Sequence, residues 1–400
     1  MFKKFHPIIW TIIGGTALSR TAFYMVMPFL AIYLNSKGIS AATIGGIIGV
    51  SFLFGTIGGF FGSLLSDKVG RYPILMISIT TYSLVFLLYI FADSVIAFFI
   101  LNALNGLCRS VFEPTIRALL SDVTPEEQRA SAFSLRYYAT NVGSAIGPII
   151  GVYLGSSGST SPFLITSITY TVYGLLLWHI LKKFGFNKMT SDSSSISFGN
   201  TLKVISTDKI FGLFLLANIF SVTAISHTES TLAQYLGNTE DILNGVKYYS
   251  YLLATNSICV LILQYPLIAA VKKIPPLKVM IIGNLLYALG LFGFGVFRSL
   301  LMLLLMMLVF TIGEILTWTM ADIVVSEIAP SHLRGTYFGA INLQFIGQSI
   351  GPWVGGMLLG LLGFNEGLIV FGLLSIIVLS ATPIYWFLSK KFNLNSSFIK

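Results

Sequence analysis

The sequence predicts an all-α polytopic membrane protein: twelve transmembrane helices in two pseudo-symmetric six-helix halves. Three observations carry that expectation. The first is composition. Of 400 residues, 55% are hydrophobic and 10% charged, too few polar side chains to cover a water-soluble surface. The second is a recurrence of apolar runs of roughly 20 residues, each long enough to cross about 30 Å of hydrocarbon as a helix. Nothing alternates with period two over roughly 10-residue segments, which argues against a barrel, the other way to satisfy backbone groups in lipid. The third is an internal repeat. Ser121-Asp122-Val123-Thr124-Pro125, with Arg129 beyond it, is echoed by Ser326-Glu327-Ile328-Ala329-Pro330 with Arg334. Gly143, Gly147-Pro148 and Gly151 are echoed by Gly347, Gly351-Pro352 and Gly355. The offset is 205 at the first block (121 to 326) and 204 at the second (143 to 347), which reads as duplication of a six-helix unit.

In order, the apolar runs place helices 1 to 6 over about 8–34, 41–65, 73–92, 95–120, 131–155 and 162–183. Their connections are short, as in a bundle of antiparallel neighbours. Residues 184–208, with Lys188, Asp192 and the serines 193–195, are polar and read as a linker. Helices 7 to 12 follow over about 209–236, 247–271, 278–297, 300–326, 335–362 and 367–389, before a basic tail. The expected organisation is therefore an N-terminal half over 1–183, a linker over 184–208 and a C-terminal half over 209–400.

The net charge of +9 is a matter of orientation rather than of nucleic-acid binding. Of the Lys and Arg outside the predicted helices, only Lys37, Lys247 and Arg298 fall on one side. The remainder, Lys68, Arg71, Arg129, Lys182, Lys183, Lys272 and Lys273 among them, fall on the other. The excess of positive charge in cytoplasmic loops then puts both termini and the linker in the cytoplasm of a multi-pass cell-membrane protein. The run from Ile8 to Leu34 is too long for a cleaved leader and reads as a retained first helix. Cys108 and Cys259 lie inside predicted helices as small apolar residues, with no disulfide or metal spacing.

An ionisable group at membrane depth is costly and marks a functional candidate. Such groups are Arg20 in helix 1, Arg109 and Glu113 in helix 4, His227 and Glu229 in helix 7, and Glu314 in helix 10. Arg136 and Asp322 lie nearer the ends of helices 5 and 10. Arg109 and Glu113, four apart, can pair on one helix face. Glu229 and Glu314 have no charged neighbour at three or four residues on their own helices, which suits them to proton exchange or to a cationic substrate; the bland reading is a hydrogen-bonded structural carboxyl. His227 could share the proton or simply pack. Arg20 could bind an anionic substrate or pair with Glu113. Aromatic and sulfur side chains such as Phe23, Met27, Phe112 and Trp318 would suit a broad apolar or cationic substrate, although most such residues in membrane helices only pack.

Between helices 2 and 3 runs Gly62-Ser63-Leu64-Leu65-Ser66-Asp67-Lys68-Val69-Gly70-Arg71-Tyr72-Pro73. Gly62 allows close helix approach, Gly70 turns the backbone and Pro73 suits the first turn of helix 3. The pattern Gly-x-Leu-x-x-Asp-x-x-Gly-Arg resembles the signature loop of the major facilitator superfamily of secondary transporters. The resemblance covers essentially the whole chain, through the two halves and their linker. It implies that Asp67 and Arg71 latch one conformation, with Gly62 and Gly70 shaping the loop, and that helices 1, 4, 7 and 10 line a central cavity. The equivalent second loop, Lys272-Lys273-Ile274-Pro275-Pro276, keeps the basic charge and lacks the Asp.

Within that family the pattern Gly143-x-x-x-Gly147-Pro148-x-x-Gly151 is typical of antiporting exporters; its second copy in helix 11 departs from the usual single one. Many proton-driven members carry an Arg at the position of Asn102, ahead of Asn105-Gly106, and this chain does not. Phe112-Glu113-Pro114 with Gly313-Glu314 looks like the bacterial multidrug branch. The resemblance therefore implies a proton-coupled efflux antiporter for small apolar or cationic molecules. Its carboxylates would be Glu314 and Glu229, with Glu113–Arg109 as a switching pair and the proton gradient as energy source in place of a cofactor. The alternatives are a dedicated exporter or importer of one polar metabolite with Arg20 as anion anchor, and a non-transporting sensor. No phosphate loop, zinc pair or serine-nucleophile motif stands out, so an enzyme is not expected. The partners implied are a small-molecule substrate and the bilayer, with no nucleic acid and no required oligomer.

Overall fold

The computed structural model describes residues 5–155, 159–185, 208–330, 337 and 340–391, with the backbone alone at 60–68, 126, 127, 130, 152 and 155. Among the described residues there is no strand. The helices are α1 (Pro7–Ser36), α2 (Ala41–Val69), α3 (Arg71–Leu88), α4 (Val95–Asp122), α5 (Glu126–Gly155) and α6 (Ser161–Lys183). They continue with α7 (Lys209–Asn238), α8 (Gly245–Val271), α9 (Pro276–Val296), α10 (Leu300–Ile328), α11 (Asn342–Leu362) and α12 (Gly367–Lys391). Eleven of the described helices are long and apolar enough to cross a membrane. The twelfth is α5, equal to α1 at 30 residues but carrying Glu126, Glu127, Arg129 and Arg136. The greater part of the expected linker, 186–207, and the expected start of helix 11 lie outside the described residues.

Helix starts follow local chemistry. Ser94 caps α4 by accepting from the Ala97 amide, and Ser299 caps α10 by accepting from the Met302 amide. These serines are 205 apart (94 to 299), the offset of the sequence repeat. Asp208 caps α7 at the Ile210 and Phe211 amides and takes a third hydrogen bond, 2.7 Å, from the Tyr337 hydroxyl. Gly70, at φ +101°, makes the turn from α2 into α3, a conformation that an L side chain would strain. The polar run His227–Thr231 breaks α7 into a single π-helical turn, a departure frequent at functional sites.

Contacts divide the chain into two compact units. One comprises Met1–Ile39 and Val50–Ser195, the other Ser40–Gly49 and Ile196–Lys400. In the first, α1 packs on α5 and α6, and α3 on α4 and α6, around an aromatic core in which Phe86 stacks on Tyr170 at 5.7 Å and Tyr89 on Phe163 at 5.1 Å. In the second, α9 packs on α10 and α12, and α7 on α11. Its core holds Phe211, Phe214, Val279, Met280, Val324 and Tyr385. The first turns of α2 count with this unit because Gly45 and Gly49 lie against the main chain of Pro352 and Ser349 in α11, and Ser349 Oγ donates to Gly49 O at 2.9 Å.

The repeated glycines make equivalent helix contacts. A Cβ at Gly143 would lie 2.6 Å from Arg20 Cβ, one at Gly147 2.7 Å from Thr21 O, and one at Gly151 2.5 Å from Met25 O, so α5 beds onto α1. In the second unit a Cβ at Gly347 would collide with Ile219 O, at Gly351 with Ser226 Oγ and at Gly355 with Thr231 Oγ1, so α11 beds onto α7. Small residues let helix backbones approach where no solvent drives them together. Pro148 and Pro352 sit inside these same helices.

Candidate functional site

Close seating of α5 on α1 brings three helices to one carboxylate. Arg20 Nη2 of α1 lies 2.5 Å from Glu113 Oε1 of α4, and Arg136 Nη2 of α5 lies 2.5 Å from Glu113 Oε2. Each oxygen thus has its own guanidinium, and the remaining Nε of Arg20 and of Arg136 is buried without a hydrogen-bond partner. The expected pair between Arg109 and Glu113 is not formed. Arg20 and Arg136 arrive from neighbouring helices and take both oxygens, while the Arg109 guanidinium lies 5.5 Å from the Phe23 ring and 5.3 Å from the Phe52 ring. Of the two roles open to Arg20, its contact is the one with Glu113. A cavity of about 10 Å³, room for about one water molecule, lies among Ser19, Arg20, Tyr82, Arg109, Glu113 and Tyr170.

Asn102, at the position where the resemblance leads to the expectation of an Arg, is 1% exposed. It accepts from the Tyr89 hydroxyl at 3.0 Å, and Asn105 Nδ2 lies 2.9 Å from Met27 Sδ. These amides close a neutral polar contact within the first unit. At the loop between α2 and α3, Arg71 Nε donates to Asp122 Oδ2 at 2.5 Å, tying the start of α3 to the end of α4. The surroundings of Gly62 and the side chain of Asp67 lie outside what is described. Asp122 was missed as the partner of Arg71, although it stands in the repeated block 121–125 that exposed the duplication.

The second unit holds the other candidates. Asn256 Nδ2 of α8 donates to Glu314 Oε2 of α10 at 2.7 Å and to Thr311 Oγ1 at 3.0 Å. Among the described residues Glu314 has no ion pair. Glu229, in the π turn of α7, is close enough for its charge to bear on Glu314, and its carbonyl accepts from the Tyr249 hydroxyl at 3.3 Å. His227 is 1% exposed, and its Nδ1 lies 3.1 Å from Thr231 Oγ1, one turn along its own helix. Trp318 packs on Phe345 at 5.9 Å between ring centroids. Phe23 and Phe112 are buried in the first unit. Sequence reasoning passed over Asn256 because it weighed only ionisable groups; an Asn in the middle of an apolar helix is the signal that would have found it. Chemically, the arrangement offers one carboxyl held by a neutral amide and a second acting on it, the requirements for a site occupied by either a proton or another cation.

The family model described as Major Facilitator Superfamily matches residues 12–342 and 210–398. The chain is 38% identical, over 99% of its length and 97% of the relative's, to the uncharacterized MFS-type transporter YqjV of Bacillus subtilis. It is 27% identical, over 93% of each chain, to a Na(+), Li(+), K(+)/H(+) antiporter of Planococcus maritimus. Among solved structures the nucleoside transporter NupG superposes with a TM-score of 0.82 at 11% identity, over 96% of this chain and all of that one; at that identity the likeness is one of fold.

Proposed function

The chain belongs to the major facilitator superfamily, a transporter rather than an enzyme, and from that premise we propose that it is a proton-coupled antiporter exporting small apolar or cationic molecules by alternating access. The observation that carries the reading is Glu314: a carboxylate at the middle of a membrane helix, hydrogen-bonded to a neutral amide and without a described cationic partner. A carboxylate so placed is costly to keep charged unless a proton or a substrate cation compensates it. Binding of one therefore opposes binding of the other, which is the basis of exchange. Glu229 acts with it as the second charge. Glu113 is given a structural part, since two guanidiniums already compensate it. Arg71 with Asp122 holds the loop that the resemblance casts as the latch. The termini face the cytoplasm of a cell-membrane protein in this reading. The antiporter among the relatives supports cation exchange as the chemistry.

The test is movement of a fluorescent lipophilic cation, with Na⁺, Li⁺ and K⁺ in parallel, in proteoliposomes with and without an imposed pH gradient. Wild-type protein is expected to move at least one of them only with the gradient, and Glu314→Gln to lower that movement at least tenfold. Gradient-driven movement that survives Glu314→Gln removes this carboxylate from the mechanism. Ligand binding without any flux would favour the sensor.

A further inference from the structure

Among the described residues, the positive charge around Glu113 exceeds what that carboxylate can balance. Arg20, Arg109 and Arg136, with Arg117 one turn along α4 also bearing on it, face a single carboxylate each of whose oxygens already meets a guanidinium. Arg109 is the guanidinium left over: among the described residues it meets only the faces of Phe23 and Phe52, which attract a cation but carry no net charge. Arg20 keeps a buried Nε without a partner. The charges of Arg20 and Arg109 both bear on the Tyr82 hydroxyl, and all three side chains line the cavity of about 10 Å³. A water molecule there would satisfy a donor and leave the charge. An anion satisfies the donor and compensates the charge.

We propose that this cavity binds a small monovalent anion of about halide size, held by Arg109 with Arg20 Nε and the Tyr82 hydroxyl. It is either a free ion or one carboxylate carried by the transported molecule. Donors converge on it from α1, α3 and α4, and each Glu113 oxygen is already turned to a guanidinium of Arg20 or Arg136. The site is built from the first unit alone, whereas Glu314 belongs to the second, and it does not depend on what couples transport.

The test is thermal unfolding of the purified full-length protein in HEPES buffer free of halide and of carboxylates, titrated separately with sodium bromide and with sodium acetate. A saturable rise in Tm is expected with at least one, and Arg109→Gln should raise its half-saturation at least tenfold. Arg109→Lys, which keeps the charge, and Tyr82→Phe should raise it less. If Arg109→Gln does not fold, these two variants still report. A response to bromide identifies a free anion; a response to acetate alone identifies a carboxylate. No saturable response to either, or one that is unchanged in all three variants, overturns the proposal. Running the titration also in Glu314→Gln separates the two readings, because the anion response should persist where proton coupling is lost.

Discussion

Removing the charge from Glu113 would strand two guanidiniums at once, Arg20 and Arg136, both reaching it at 2.5 Å. Breaking a buried ion pair by deleting one partner costs about 3–5 kcal/mol, because the remaining charge is left uncompensated. Glu113→Gln should therefore lower the thermal stability of the purified protein by several degrees, and Glu113→Asp by less. Arg109→Gln, which breaks no ion pair, should change it little without added anion. An Arg109→Gln loss as large as that of Glu113→Gln would mean that the guanidiniums share the carboxylate differently. At this scale the sequence showed which residues are costly and only in part which of them meet. Spacing of four along one helix pointed Glu113 to Arg109; the contact with Arg20 was one of two readings left open for that residue, and Arg136 of α5 was not foreseen, because the approach of helices is a tertiary fact. The same holds for Arg71, whose contact with Asp122 spans 51 positions of chain.

Helix contacts were more legible, since glycine spacing encodes them directly. Gly143, Gly147 and Gly151 seat α5 on α1, and Gly347, Gly351 and Gly355 seat α11 on α7. Their recurrence in both halves is what a duplicated packing contact requires, so the pattern has a structural cause whether or not it also marks antiport. Gly147→Ala places a methyl group 2.7 Å from the Thr21 carbonyl, and Gly347→Ala drives one into the carbonyl of Ile219. Overpacking of this kind costs about 1–3 kcal/mol, and each variant should melt lower. Gly360→Ala, with nothing within 4 Å of the added atom, should be neutral or slightly stabilising in the same measurement. Equal melting of all three would refute the packing account. The π turn at His227–Thr231 was not legible. The hydroxyls of Thr231 within it and of Ser226 just before it fit only where Gly355 and Gly351 lack side chains, and no periodicity within α7 announces that.

At the scale of the molecule, the duplication and the charge asymmetry are statements about composition, and both could be read before any fold was known. The capping serines Ser94 and Ser299 extend the duplication beyond the blocks that revealed it. The charge asymmetry is sharpened by pairing. Lys37 and Arg298, two of the three cations assigned to the sparse side, are matched by Asp93 at 2.6 Å and Asp241 at 2.9 Å. The hydrogen bond from Lys37 to Asp93 holds its ammonium above its ordinary value, so Lys37 stays charged at neutral pH beside a carboxylate that offsets it. The exposed cations Lys272 and Lys273, beyond the other end of α8, have no ion pair among the described residues. Helix α8 has 27 residues, about 40 Å at 1.5 Å per residue, enough to carry its two ends to opposite faces of a bilayer. With Cys108 and Cys259 replaced by Ala, a membrane-impermeant maleimide applied to intact cells should label Lys247→Cys, and should label Lys273→Cys only after lysis. The reverse pattern would invert the orientation expected from the positive charges. Labelling of both from outside would mean that α8 does not cross the membrane.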